Sequence, residues 1–212
     1  YERMVDRMLE SPHYGERWAR HWMDIARFAE STGFEIDFDR PYAYHYRDFL
    51  IKSFNQNMPY DEFVRSQIAG DELNFEDPLA LMATGFLGGG VMSSVITERE
   101  FESSRYDELD DMVSTMGTAL LGTTFGCARC HDHKYDPISQ REFYQFYAFF
   151  NQSSEPGSGA TNANTGPLIE AGSAICSPER VKRDAAVRIA ELKRLRAVPP
   201  ARIAGQRDLW ET

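Results

Sequence analysis

Apolar residues in this chain return at intervals of three and four, and no stretch alternates with the period of two that a half-buried strand needs. That commits the chain to helices. In residues 13–30, Trp18, His21, Trp22, Ile25, Phe28 and Ala29 draw one stripe down a helix and are expected to face a core. Further helices are predicted over Ala43–Phe54, over Tyr60–Gly70 after Pro59 with Phe63 and Ile68 on its inner face, and from Pro78 to Leu87. Gly88-Gly89-Gly90 ends the last of these and opens a connection to about Glu102, read as flexible because no Lys-Ser helix start follows to make a phosphate loop. Ser103 or Ser104 then caps a long helix over Arg105–Leu121, with Leu109, Met112, Val113, Met116 and Leu120 on one side. Asp107, Glu108, Asp110 and Asp111 fall near its start, where acids complement the helix dipole more simply than they would bind calcium.

Asp136-Pro137 makes a turn, and Ser139-Gln140-Arg141-Glu142 has capping-box spacing before an aromatic helix over Phe143–Phe150. Residues 152–174, rich in Ser, Gly, Asn, Thr and Pro, read as a loop; residues 178–197 resume a helix that Pro199-Pro200 stops. The expected class is all-α, with a domain over 1–151, a loop-rich linker over 152–176 and a basic C-terminal helix and tail over 177–212.

Charge is distributed unevenly over the 212 residues. Residues 177–212 hold five acids and nine bases, which leaves 28 acids against 14 bases before them. An acidic body disfavours nucleic acid, which rewards clustered Lys and Arg, and favours a basic protein partner; it also keeps a protein soluble. No run reaches the ~20 apolar residues of a membrane span. The first residues, Tyr1-Glu2-Arg3-Met4, are not a signal peptide, and the helical pattern is already running there, so the chain reads as a mature or trimmed piece.

Of three cysteines, two lie in Cys127-Ala128-Arg129-Cys130-His131, and Cys176 is left over beside the loop-rich segment. Cys-x-x-Cys-His is the attachment sequence of c-type haem: two thiols three residues apart meet the two vinyl groups, and the adjacent imidazole meets the iron. The domain is therefore expected to fold irregularly around a haem c, with Cys127 and Cys130 as thioethers and His131 as proximal iron ligand. Zinc is the rival, with Cys176, His133 or a distant histidine as fourth ligand; a Cys127–Cys130 disulfide is a third reading.

The sixth iron ligand would decide between electron transfer and catalysis. Every Met precedes Cys127, and His133 lies too close to His131 to reach the opposite face of the same haem. His21, on the stripe between Trp18 and Ile25, is the first distal candidate, against a plain core histidine; Met116 is the second, against core filling. Arg129, Lys134 and Tyr135 are candidates for haem propionate contacts, against solvated loop residues.

Several segments carry a resemblance. Gly15-Glu16-Arg17-Trp18-Ala19-Arg20-His21-Trp22-Met23-Asp24-Ile25-Ala26-Arg27-Phe28, Tyr46-Arg47-Asp48-Phe49, Met58-Pro59-Tyr60-Asp61-Glu62-Phe63, Ala69-Gly70-Asp71 and Gly126–Ile138 around the cysteines resemble the planctomycete cytochrome-c-like proteins of domain of unknown function 1549, over roughly residues 1–151. The resemblance implies a piece of a large exported protein, in which this region lies between a separate cytochrome-type domain and a further C-terminal one. It implies no activity, and it matches an Arg-His-Trp motif at Arg20, His21 and Trp22.

The function expected is a haem c electron-transfer module of an exported multidomain protein, extracytoplasmic, with a basic redox partner and neighbouring domains or subunits. Whether it is also an enzyme is open: a peroxidase- or oxidase-like haem enzyme is the first alternative, and a non-catalytic helical module with a Cys/His zinc site the second.

Overall fold

The fold comes from a computed structural model, which describes residues 1–33, 36–93, 97–153 and, further on, Ala186, Ile189, Ala190, Lys193 and Arg194. The chain divides into two compact units, Tyr1–Ile169 and Glu170–Thr212. In the second, the five described residues are helical and exposed, within the span where the basic helix is expected. Cys176 and the linker beyond residue 153 lie outside the described residues.

The first unit is all-α. Its helices are α1 (Glu2–Leu9), α2 (His13–Ile25), α3 (Tyr44–Asn55), α4 (Tyr60–Leu73), α5 (Pro78–Ala83), α6 (Phe101–Met116) and α7 (Gln140–Phe150). Among the described residues no strand forms; an isolated bridge joins Ser31 to Asp39.

α2 buries a face displaced by one residue from the expected stripe. Gly15, Ala19 and, just beyond the helix, Ala26 are buried with Trp22 beside them, while Trp18 and Ile25 are 47% and 46% exposed. The large residues mislead here, because the small ones decide how closely α3 approaches. Gly15 donates its N–H to Asn55 Oδ1 at 2.8 Å, and the α2–α3 contact closes over that side.

A similar displacement occurs in α4. Ile68 is partly exposed, and Gln67 is fully buried in its place. Two donors in the core explain the exchange. Trp22 Nε1–H and the Tyr46 hydroxyl both reach Gln67 Oε1, at 2.9 and 2.6 Å, and Gln67 Nε2 donates to the Phe63 carbonyl at 3.0 Å. Buried indole and phenol groups demand an acceptor, and an isoleucine has none. Burial pushes the Tyr46 phenol far above its ordinary range, so it remains a donor.

Around that triad pack Phe49, Leu50, Phe63, Ala83, Phe86 and Met116, one cluster shared by α2 to α6. α4 kinks at Ala69, and α5 crosses at the next residue: a Cβ on Gly70 would lie 2.1 Å from the Ala80 carbonyl oxygen. The Ala-Gly-Asp motif thus serves a close helix crossing.

The glycine run lies in an ordered turn at the start of the expected connection. Thr84–Gly89 continues α5 as a 3-10 helix, and two arginines hold its carbonyls. Arg27 reaches those of Phe86 and Leu87, both at 3.1 Å, and Arg40 those of Gly89 and Gly90. Arg27 also pairs through Nε with Asp111 of α6, from a left-handed backbone conformation at φ 49°. Side chains remote in sequence fix this segment, which local reading does not see.

α6 begins at Phe101, so Ser103 and Ser104 lie inside its first turn and are not its cap. The start is stabilised instead by Glu100, whose carboxylate accepts the Thr97 N–H and hydroxyl at 2.7 and 2.8 Å. The helix ends at Met116 and passes into a π-type turn over Gly117–Leu121.

Candidate functional site

The Cys-x-x-Cys-His segment sits on a second, smaller cluster. Residues Phe125–Arg129 form a 3-10 helix, whose three-residue period puts 125 and 128 on one side and 127 and 130 on another. Phe125 and Ala128 are buried against Val113 of α6 and Phe143 of α7. Cys127, Cys130 and His131 are exposed, and both thiols are free. The fit against α6 is close: a Cβ on Gly117 would lie 2.3 Å from Phe125 Cβ. One face of a single turn is thus clamped, and the other presents two thiols and an imidazole.

The His131 ring is oriented by its own neighbour. Its Nδ1 lies 2.7 Å from the Asp132 carbonyl oxygen, which only accepts. The ring proton is therefore assigned to Nδ1, leaving the Nε2 lone pair for a metal. Asp132 Oδ1 in turn accepts the N–H of Gln140, the first residue of α7, at 2.8 Å. The Arg129 carbonyl takes two donors from the same helix, Gln140 Nε2 at 3.0 Å and the Tyr144 hydroxyl at 3.1 Å.

α7 is a firm support. Its capping box at Ser139 and Glu142 is complete, as expected, and the bonds to Ser139 hold the Glu142 carboxyl below its usual range. Phe143 is fully buried.

The His133 side chain is 5% exposed and its ring is occupied on both sides. Nδ1 accepts the backbone N–H of Asp136 at 2.8 Å, which places the proton on Nε2, facing Thr124 Oγ1 at 2.9 Å. Its own N–H donates to the Ile138 carbonyl at 2.8 Å. It ties the segment after the motif to the one before it and has no nitrogen left for a metal. Among the described residues no three His, Cys, Asp or Glu side chains converge to hold a metal ion, so a zinc site would need ligands from beyond them.

Arg129 turns away from the thiols to Asp110 and Asp107 of α6, at 2.9 and 3.4 Å. Burial raises the Asp110 carboxyl despite that guanidinium, and Asp110 in turn holds the Arg129 guanidinium above its usual range. Lys134 Nζ lies 5.1 Å from the centre of the Tyr135 ring, which is 82% exposed. His21 is exposed on α2, its ring 5.5 Å from that of Trp18, and is not a buried core histidine. Met116 is packed into the larger cluster.

The residues that sequence reading missed are Asp132, Gln140 and Tyr144, which support the motif without belonging to it. Only the immediate adjacency of Asp132 to His131 hinted at this.

The donor set suits a c-type haem. Thiol addition to a vinyl group forms one C–S bond, consumes one C=C bond and moves the thiol proton to carbon, so it requires free, accessible thiols and no oxidant. Cys127 and Cys130 meet that requirement, and His131 offers an unprotonated Nε2.

A family model described as PSCyt2, protein of unknown function (DUF1549), matches residues 1–155. No curated protein and no solved structure matches the chain.

Proposed function

We propose, from the premise that this chain belongs to the PSCyt2 (DUF1549) family, that it binds one haem c and works as an electron-transfer module of a larger exported protein. One observation carries the reading: a single buttressed turn exposes two free thiols and an imidazole whose Nδ1 is already committed to a carbonyl. Cys127 and Cys130 would hold the porphyrin covalently, and His131 would take one axial position on the iron. Bound haem supplies a one-electron couple, and the polypeptide tunes it through ligand, burial and charge.

Around that centre, Lys134 and Tyr135 are the residues assigned to propionate contact, since Arg129 is engaged by Asp110 and Asp107. His21, whose imidazole is exposed, is the distal candidate carried forward. The same reading assigns the chain to an extracytoplasmic compartment and gives it a basic redox partner.

The full chain, exported in cells competent for cytochrome maturation, is expected to give a band that stains for haem on a denaturing gel. Cys127→Ser with Cys130→Ser should abolish the stain. An unstained parent band overturns the proposal. A low-spin spectrum indifferent to cyanide and peroxide supports electron transfer, whereas high-spin bands that react with peroxide favour a haem enzyme. Unchanged Soret and visible bands in His21→Ala would remove His21 as a ligand.

A further inference from the structure

We infer that Asp132 is the positioning residue of the proximal imidazole, and that through it α7 sets the donor strength of His131; the inference rests on the haem reading of the site. Asp132 acts at both its ends. Its carbonyl oxygen accepts His131 Nδ1–H at 2.7 Å, and its carboxylate accepts the Gln140 N–H at 2.8 Å. Without the second bond, the Asp132 peptide would be one exposed unit in a loop, free to rotate its carbonyl away.

The first turns of α7 hold the motif on both sides of His131. Before it, the Arg129 carbonyl is fixed by Gln140 Nε2 and Tyr144; after it, Asp132 is fixed by the backbone of Gln140. α7 itself is locked by its capping box and by Phe143 in the core. A hydrogen bond from Nδ1 makes an imidazole a stronger donor to a metal and fixes its ring plane. A stronger donor favours ferric over ferrous iron, so this bond lowers the potential of a bound haem.

Two pairs of variants of the full chain separate this from alternatives. Asp132→Asn removes the charge and keeps an acceptor; Asp132→Ala removes both. Gln140→Pro removes only the N–H and the side chain, at a first helical position where proline is well tolerated after the extended Ser139 at ψ 157°; Gln140→Ala removes the side chain alone. Asp132→Ala and Gln140→Pro are expected to raise the reduction equilibrium constant of the bound haem roughly tenfold, about 59 mV for one electron. Asp132→Asn and Gln140→Ala should stay within about twofold of the parent. Equal shifts in the two Asp132 variants, or in the two Gln140 variants, overturn the inference, because charge or side chain would then be the cause.

The second readout needs no haem. In the haem-free full chain, long-range nitrogen–proton spectra of the His131 ring should show the Nδ1–H tautomer in the parent and in Asp132→Asn. Asp132→Ala should move the ring toward the Nε2–H form that free histidine prefers. A parent chain that takes up no haem overturns the functional reading alone. A tautomer unmoved by Asp132→Ala overturns the role of Asp132 alone.

Discussion

At the scale of single residues, the three central histidines hold different positions for reasons visible in their partners. His131 has one nitrogen committed and one free, whereas His133 has both committed, its ring held between Thr124 and Asp136. His133→Ala should therefore cost stability and leave haem spectroscopy alone. The loss of its paired groups is worth roughly 1–3 kcal/mol, read as a lower urea midpoint, while the Soret and visible bands of the loaded chain stay in place. Displaced bands would mean that His133 is a ligand after all. His45 lies against Tyr44, with ring centres 4.1 Å apart, and burial is the main cause that lowers its affinity for a proton; Lys52 adds to this and Asp48 opposes it. A depressed base favours the unprotonated fold, so the unfolded chain takes up the proton first. The contribution of His45 is then complete above the unfolded value of about 6.5 and is lost as pH falls below it. Urea midpoints measured from pH 7.5 to 5.5 should fall in the parent and fall less in His45→Phe; equal slopes would remove His45 as the cause.

At the scale of elements, helix positions were legible because their signals are local: apolar period, Pro59 before α4, Pro78 opening α5, the capping box before α7. Which face turns inward was less legible, because it depends on neighbours remote in sequence. α2 turned its small residues inward because α3 approaches closely there, and α4 turned in Gln67 because Trp22 and Tyr46 need its acceptor. The cysteine turn was legible as a motif, but its clamp on α7 was not, since Asp132 and Gln140 are eight residues apart and share no motif. The α2–α3–α4 triad should therefore behave as a unit. Tyr46→Phe leaves Trp22 still bonded to Gln67 and is expected to cost about 1 kcal/mol; Gln67→Leu strands the Tyr46 hydroxyl without its acceptor and should cost up to ~3 kcal/mol. In the double variant the stranded hydroxyl is gone, but Trp22 Nε1–H loses both of its acceptors, so the two costs should fail to add by about 0.5 kcal/mol or more, on the order seen for residues in one network. Chemical unfolding followed by tryptophan fluorescence tests this, and strict additivity would show that the three side chains are independent.

At the scale of the whole molecule, charge is the property that a partner meets first. Residues 1–176 carry 28 acids and 14 bases, and among the described residues no helix is long and apolar enough to cross a membrane. Part of the basic charge of the body is already matched: Arg129 is paired with Asp110 and Asp107, and Arg27 with Asp111. The surface that remains is on balance acidic, and its field extends about one Debye length, ~30 Å at 10 mM salt but only ~3 Å at 1 M. Steering by such a field raises encounter rates by ten- to a thousand-fold and acts on rate more than on affinity. Electron exchange between the haem-loaded chain and a small basic redox protein should therefore slow by at least about tenfold from 10 mM to 0.5 M salt. With an acidic redox protein of similar size and potential it should speed up over the same range, as screening removes repulsion. The nine bases of residues 177–212 oppose the body and would weaken both slopes without reversing either, because the chain as a whole remains at -10. Stopped-flow rates with the two probes decide the matter: slopes of opposite sign follow from steering by the acidic body, whereas slopes of the same sign mean that a local patch, not the net charge, selects the partner.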